Sequence, residues 1–311
     1  MDIRQIKTFV YVAELKSFTR ASAFLHISQP ALSRQIRLLE EEVDVKLFLR
    51  SGHGVVLTEQ GQTLLEHCVG FLNQFDSLRN AFNDYGLNGS AEAGHVTIGL
   101  PVPATRFIGQ RMLNDLKVHH PGISLKIAEG FNPLIHEWLL SGSIDLAILY
   151  GPLESTILRR QLLAVEELYA ITAASEKNLS RTTITSQELL KGPLILPHRP
   201  HILRTIVDEI AVNDVPIIEV NAITLMFELA SANQGYAILP GNSLNHAIAA
   251  GDVVALKIIE PVLSWDVSIW HSSLQELSEP ALIVRQLVHD EVVSLIREGR
   301  WSAHLAGDIK D

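Results

Sequence analysis

Ser28-Gln29-Pro30 allows a helix to begin at one defined place in this chain. Ser28 can cap the first free amides, and Pro30 is tolerated in the first turn, where the amide it lacks has no partner within the helix. From there Leu32, Ile36, Leu39 and Val43 recur at helical spacing, and Gln29, Pro30, Ser33, Arg34 and Arg37 fall on the other side. One face packs and the other is left for a partner. Upstream, Ile6, Phe9, Val10, Val12 and Ala13 predict a first amphipathic helix, Phe18 to Leu25 a short second one, and His26-Ile27 the turn between helices. Downstream, Leu47 to Arg50 and Gly54 to Thr58 are two β-type runs around Ser51-Gly52-His53, a hairpin signal. Three helices and a hairpin predict a winged helix-turn-helix. In such a unit the third helix enters the major groove of DNA and Arg50 on the wing reaches backbone or minor groove. Small three-helix units also serve protein contacts, so the pattern alone leaves that alternative open.

Net charge is −10 over 311 residues, which by itself argues against nucleic acid. The charge is unevenly spread. Residues 1–60 hold eight Lys/Arg against seven Asp/Glu, so that stretch is +1 and the acid lies in the remainder. A charge of +1 is weak for a DNA reader, so more than one head is expected on one site. The means of pairing heads follows at once: after Gly61, Leu64, Cys68, Phe71, Phe75, Leu78 and Phe82 step alternately by three and four residues. That spacing predicts one helix from Thr58 to about Tyr85 with a two-stranded coiled-coil seam. The alternative is a connector helix lying on its own C-terminal domain.

Gly86 to Gly94 is small, polar and flexible, and marks a domain boundary. Beyond it, short β runs alternate with helical patterns: Val96–Leu100, Leu125–Ala128, Leu146–Leu149, Leu168–Thr172, Leu194–Leu196, Ile217–Val220, Ala237–Leu239 and Val253–Ile258. This predicts α/β architecture with largely parallel sheets. The chain as a whole is read as an α+β multidomain protein, with residues 1–58 the winged helix-turn-helix, 59–86 the long helix, 87–94 a hinge and 95–311 the α/β part.

Position by position, the first sixty residues resemble the N-terminal domain of LysR-type transcriptional regulators. The resemblance rests on Phe9 and Val10, Ser17-Phe18-Thr19-Arg20-Ala21 with Ala23, Ser28-Gln29-Pro30-Ala31-Leu32-Ser33 with Ile36 and Leu39-Glu40, Leu47-Phe48, Arg50, Gly54-Val55, Leu57-Thr58 and Gly61. Asp44 stands where the family often has Gly, and His53 where a wing Arg is common. The C-terminal part resembles the family's effector domain, built like a periplasmic binding protein. This likeness rests on Val96 to Leu100, Leu139 to Gly142, Ile144 to Ile148, and Gly235 to Pro240. Gly99-Leu100, Leu149-Tyr150-Gly151, Ile223-Thr224 and Leu239-Pro240 look most like the branch containing the nitrogen assimilation control regulator. The resemblance implies two subdomains, residues 95–165 with 269–311 and residues 166–268, joined by crossings near Leu163–Leu168 and Leu263–Trp270.

It further implies a bacterial regulator that binds double-stranded DNA. Gln29, Ser33 and Arg34 are expected at base edges and Thr19, Arg20, Arg37 and Arg50 on the backbone, with Ser28, Pro30 and His53 completing the contact set. Dimers formed through Leu64, Cys68, Phe71, Phe75, Leu78 and Phe82 are expected to join into a homotetramer on an interrupted palindrome in promoters, with RNA polymerase a further candidate partner. A small-molecule effector would alter DNA bending. Ligands of open α/β sheets lie beyond the carboxyl ends of strands, where helix starts offer amides to anions. The candidates there are Pro101, Thr105, Phe131, Asn132, His198, Arg199, His201 and Thr224, and the His198 to Arg204 cluster points to an anionic ligand. Pro133, which removes an amide donor, counts against it. A regulator without effector, controlled by its own abundance, and a solute-binding protein are the competing readings. The second is opposed by the N-terminal unit.

No catalytic motif emerges. His136-Glu137 opens like a zinc HExxH, yet Leu140 occupies the second ligand position, and His198 and His201 lack a neighbouring Cys or carboxylate at zinc spacing. Phosphate-loop, dinucleotide and nucleophile-elbow patterns are absent. No enzyme activity, cofactor or metal is expected. Cys68 is the lone cysteine, so an intrachain disulfide cannot form. The N-terminus carries Asp2, Arg4 and Lys7 in place of an apolar signal core, and no apolar run reaches membrane-spanning length, so a cytoplasmic protein is expected.

Overall fold

The computed structural model describes residues 1–51, 54–84, 93–211, 215–240 and 252–308. The chain divides into two compact units: Met1–Asn88 with the segments Glu154–Arg159 and Ser272–Glu276, and Gly89–Leu153 with Arg160–His271 and Leu277–Asp311. The sequence-based division places both short segments in the C-terminal domain instead. The expected hinge at 87–94 lies largely outside the described residues.

In the first unit, α1 (Ile3–Leu15), α2 (Phe18–Phe24) and α3 (Gln29–Val43) precede the hairpin β1 (Phe48–Ser51) and β2 (Gly54–Leu57). Each helix start is chemically specified. Asp2 accepts from the Gln5 amide while the Gln5 side chain accepts from the Asp2 amide, a reciprocal capping box. Ser17 caps α2 and Ser28 caps α3. Phe9, Leu32, Ile36 and Leu39 are buried, and Phe48 packs its ring against Phe9 and Phe18 at 5.3 and 5.8 Å. Asp44 closes α3 in the left-handed region at φ 54, a conformation that Gly adopts freely and Asp tolerates. Glu40 then secures the exit, accepting from the Leu47 amide at 2.9 Å and from Lys46 at 2.6 Å.

The long helix α4 is described over Glu59–Asp84 and starts one residue later than the spacing predicts, because Thr58 serves as its cap and accepts from the Gly61 amide at 2.9 Å. A Cβ on Gly61 would stand 2.3 Å from the Leu47 carbonyl oxygen, so only glycine lets this turn lie against the hairpin. The seam read from sequence divides here. Cys68 is 4% exposed and buried within its own unit, in a row with Leu65 and Leu72, whereas Phe71 and Phe75 stack on each other and are 46% and 40% exposed. Cys68 therefore belongs to the intrachain face. Burial raises its thiol to about 11, which leaves it unreactive. The side chains of Leu78 and Phe82 lie outside the described residues.

Among the described residues, the strands of the second unit form one continuous set of eleven. Three parallel strands, β3 (Gly94–Leu100), β4 (Ile123–Glu129) and β5 (Leu146–Tyr150), are flanked by the helical run α5 (Val102–Ala104), a π-turn Thr105–Gly109 and α6 (Gln110–His119), and by α7 (Asn132–Leu140). Next comes β6 (Leu158–Ala173), far longer than the expected Leu168–Thr172. From Ala164 to Thr172 its even-numbered residues are buried, the period of a strand with one face in the core. Then follow α8 (Glu176–Leu179), β7 (Thr183–Thr185), α9 (Ser186–Leu189), β8 (Leu194–Leu196), α10 (Ile202–Ile210), β9 (Ile217–Glu219), α11 (Ile223–Ser231) and β10 (Tyr236–Pro240). The chain described ends with β11 (Val253–Ile259), β12 (Ser264–Ser272), α12 (Glu279–Arg297) and β13 (Ala303–Leu305).

The strand path is β4-β3-β5-β12-β6-β10-β8-β9, with β11 and β13 also on β6 and β7 on β11. Strands β10, β8 and β9 are parallel to one another, so two parallel triplets flank the central pair β12 and β6. Sequence reading gives β12 only as a crossing and does not foresee β7 or β13, whose three residues carry no periodic signal.

At the centre, Glu166 is 1% exposed, and its two carboxyl oxygens accept from the indole N–H groups of Trp265 at 2.7 Å and Trp301 at 2.9 Å. Trp265 stacks on Tyr150 with centroids 4.5 Å apart, and Trp301 on Phe107 at 5.3 Å. One carboxyl thus joins β6, β12 and the C-terminal segment. Glu166→Gln puts an amide donor opposite one indole donor and is expected to cost about 1–3 kcal/mol, the penalty of an unsatisfied buried N–H. Urea unfolding monitored by tryptophan fluorescence reads this directly; wild-type stability in the variant would mean the indoles find other acceptors.

Candidate functional site

In the first unit the outward side of α3 is polar and accessible. Ser28, Gln29, Pro30, Ser33, Arg34 and Arg37 are all exposed, as are Thr19 and Arg20 on α2. Arg37 lies 3.5 Å from Glu41 in an exposed i,i+4 pair, which competes only weakly with a phosphate. Register pairs Ser51 with Gly54 in the hairpin. His53 and the side chain of Arg50 lie outside the described residues.

In the second unit a cavity opens where the two parallel triplets end. Pro101 follows β3, Gly130 and Phe131 follow β4, and Tyr150 ends β5; Pro197 follows β8, Asn221 follows β9, and Leu239-Pro240 end β10. All six strands direct their carboxyl ends here, the place where open α/β sheets bind ligands. The space is about 540 Å3 including its mouth, and is completed by Val102, Pro103, Asn132, His201, Ile202, Leu203, Ile223, Met226 and Trp265. Of the sequence candidates, Pro101, Phe131, Asn132 and His201 line it. Thr105, His198, Arg199 and Thr224 do not.

The expected cationic cluster is neutralised by its own neighbours. Arg199 donates to Asp208 at 2.9 and 2.6 Å, and Arg204 donates to Asp208 at 3.0 Å and to Glu219 at 2.6 Å. His198 is engaged by Asn221 and by the Arg199 carbonyl. Asn132 is spent on backbone: its amide donates to the Tyr150 carbonyl at 2.6 Å and its oxygen accepts from the Tyr150 amide at 3.3 Å. His201 caps α10, its Nδ1 accepting from the Leu203 amide at 3.2 Å, and sets its ring edge-on to Phe131 at 5.9 Å. That bond places any ring proton of the neutral form on Nε2.

Sequence reasoning missed Tyr150, Trp265, Ile202 and Met226, apolar groups whose pattern speaks only of a core. Burial first, and then Glu166, push the Tyr150 hydroxyl well above the ordinary phenol value of 10, against a nearby Ala104 amide. Among the described residues no cluster of three metal-ligating side chains occurs, and no helix is long and apolar enough to cross a membrane.

Burial, and secondarily repulsion from His198, lowers His201 from 6.5 to about 4. A histidine neutral when folded and free to protonate when unfolded favours unfolding as pH falls. Its share of stability is whole above 6.5 and is lost as pH drops toward about 4. Against the opposing effect of burial, Arg199 and Arg204 hold Asp208 below its ordinary 3.8, and Lys257 and His304 hold Glu167 below 4.5, so these carboxyls act lower in pH. The urea midpoint is expected to fall between pH 6.5 and 4.5, and His201→Asn, which keeps a capping acceptor, should flatten that limb. An unchanged limb in the variant would assign the proton to another group.

Residues 89–293 match the LysR substrate binding domain, and residues 3–62 match the bacterial regulatory helix-turn-helix protein, lysR family. Among curated relatives, the HTH-type transcriptional regulator BbuR of Bordetella bronchiseptica is 25% identical over 308 residues, covering 98% of this chain and 94% of that protein. The nitrogen assimilation regulatory protein nac of Klebsiella aerogenes is 28% identical over 293 residues, covering 93% and 94%. Among solved structures, full-length BenM aligns with a TM-score of 0.57 at 22% identity over 97% of this chain and 99% of that one, a likeness of fold. A full-length OxyR variant from Pseudomonas aeruginosa gives 0.58 at 23% identity, covering 94% of each chain. The chain belongs to the LysR family of bacterial transcriptional regulators, with a helix-turn-helix DNA-binding domain ahead of a LysR substrate-binding domain.

Proposed function

We propose that this regulator reads a promoter through the exposed side of α3 and is controlled by a small molecule seated in the cavity of its α/β unit. The observation that carries the reading is the exposure of Gln29, Ser33 and Arg34 along one face of a helix whose other face is buried by Leu32, Ile36 and Leu39. Gln and Arg are the side chains that bond adenine and guanine edges in pairs. Thr19, Arg20 and Arg37 flank them and hold phosphates, together with Arg50 and His53 of the wing. With only +1 over residues 1–60, one head binds weakly, and affinity comes from several heads on one interrupted palindrome.

The exposed, stacked Phe71 and Phe75 on α4 form the dimer contact, extended by Leu64, Leu78 and Phe82. Two dimers join as a tetramer, a ligand changes the spacing of the heads and hence the DNA bend, and RNA polymerase meets the result. Such a ligand acts only through different affinity for the two arrangements. The protein works in the cytoplasm, as a regulator with no catalytic role.

DNase footprinting on DNA upstream of its own gene tests the reading. Gln29→Ala and Arg34→Ala should each relax sequence preference by about 1–3 kcal/mol for every bidentate base pairing removed, whereas Arg37→Ala should weaken all sequences alike; equal weakening on every sequence from all three variants would remove base reading from α3. Phe71→Asp and Phe75→Asp should run as monomers on a sizing column, and a retained dimer would place the interface elsewhere.

A further inference from the structure

The cavity's wall chemistry differs from the anion site that the local sequence suggests. Of the four helices that begin at its edge, α5 has Pro103 in its first turn and α7 has Pro133, each removing an amide donor, and α10 is already capped by His201. Ala222 leaves the start of α11 as the one helix of the four without such a block. The cationic side chains in the adjoining loop, Arg199 and Arg204, are held by Asp208 and Glu219, and neither arginine lines the space. His201 lines it but is uncharged near neutral pH. A carboxylate or phosphate placed here would lose its hydration and meet no free cation among the described residues.

What the walls do offer is apolar contact. Pro101, Val102, Pro103, Ile202, Ile223 and Met226 face the space, beside the stacked rings of Tyr150 and Trp265.

We propose that the effector of this regulator is an uncharged, largely apolar compound carrying one hydrogen-bond acceptor, its apolar part beside Trp265 and Ile223 and its acceptor at the start of α11. This rests on the reading that a ligand in the α/β unit controls the protein. The ligand excludes water from the apolar wall, and its acceptor meets an α11 amide. Trp265 couples occupancy to the centre of the unit, since the same indole donates to Glu166. Selection against anions follows from the missing cation rather than from size.

The experiment is a titration of the full chain with benzamide, benzyl alcohol, benzoate and inorganic phosphate, followed by tryptophan fluorescence and thermal melting, with operator footprinting of the same preparations. Benzamide and benzyl alcohol are expected to bind saturably, at least about ten-fold tighter than benzoate, with phosphate inert. Ile223→Trp, which fills the space from a partly exposed position, should weaken both neutral compounds by about ten-fold or more while circular dichroism stays as in wild type. Asp208→Asn serves as a second variant: it removes the carboxylate that holds Arg199, leaves Arg204 on Glu219 and does not touch the cavity wall, and should leave neutral binding unchanged; a loss of neutral binding in it would overturn the assignment of the ligand to the apolar wall. Benzoate binding as tight as benzamide, no saturable neutral binding, or neutral binding insensitive to Ile223→Trp would each overturn the ligand class. With an intact footprint, any of these leaves the regulator standing; absence of the wild-type footprint would instead sink the DNA-binding reading on which the proposal rests.

Discussion

A carboxyl group shut away from water governs how the α/β unit is put together. Glu166 carries its charge-capable head into the core because it falls on the inward beat of β6, between Ala164 and Leu168. A polar group in that position is tolerated only if its oxygens are bonded, and the two tryptophan N–H groups that bond them come from residues 99 and 135 positions downstream. The geometry then propagates outward. Trp265, fixed by Glu166, presents its ring to Tyr150 at the end of β5, and both rings become wall of the cavity. Trp301, fixed by the same carboxyl, stacks on Phe107 in the π-turn that follows Pro101. Structural support and cavity wall are therefore one network.

The N-terminal unit depends on nearer neighbours. Its helix starts are set within three residues by Asp2, Ser17 and Ser28, its third helix stops at Asp44, and Glu40 ties that stop to the hairpin. The same economy leaves Gln29, Ser33 and Arg34 exposed on the outward face of α3. Burial of Leu32, Ile36 and Leu39 holds the helix firmly, so Gln29, Ser33 and Arg34 stand on a rigid support, the condition under which side-chain donors discriminate bases.

The contrast between the two units explains which features are legible in the sequence and which are not. Caps, periodic stripes and a hairpin signal are relations between residues close in the chain, and Ser28, Leu32 and Gly61 state them openly. Strand β6 reads as only its inner part, because Arg159, Arg160 and Gln161 look like loop although they continue the pairing edge. No neighbour in sequence marks Glu166 as a buried acceptor, since both of its donors lie far along the chain. Cys68 falls on the interchain seam in the sequence because a three-four step cannot tell which of two neighbouring stripes the chain uses for its own core; Leu65 and Leu72 join it there.

Sequence by itself determined the winged helix-turn-helix, the long helix after it, the alternation of strands and helices, and the strand ends at which a ligand would sit. These follow from local hydrogen bonding and from the periods of helix and strand, which a string of residues displays. Tertiary structure alone decided what that ligand meets. His198, Arg199, His201 and Arg204 form a basic cluster in the chain, but folding sets Asp208 and Glu219 against the arginines and half-buries His201, which lowers its affinity for a proton. Charge is a property of residues; free charge is a property of their distances.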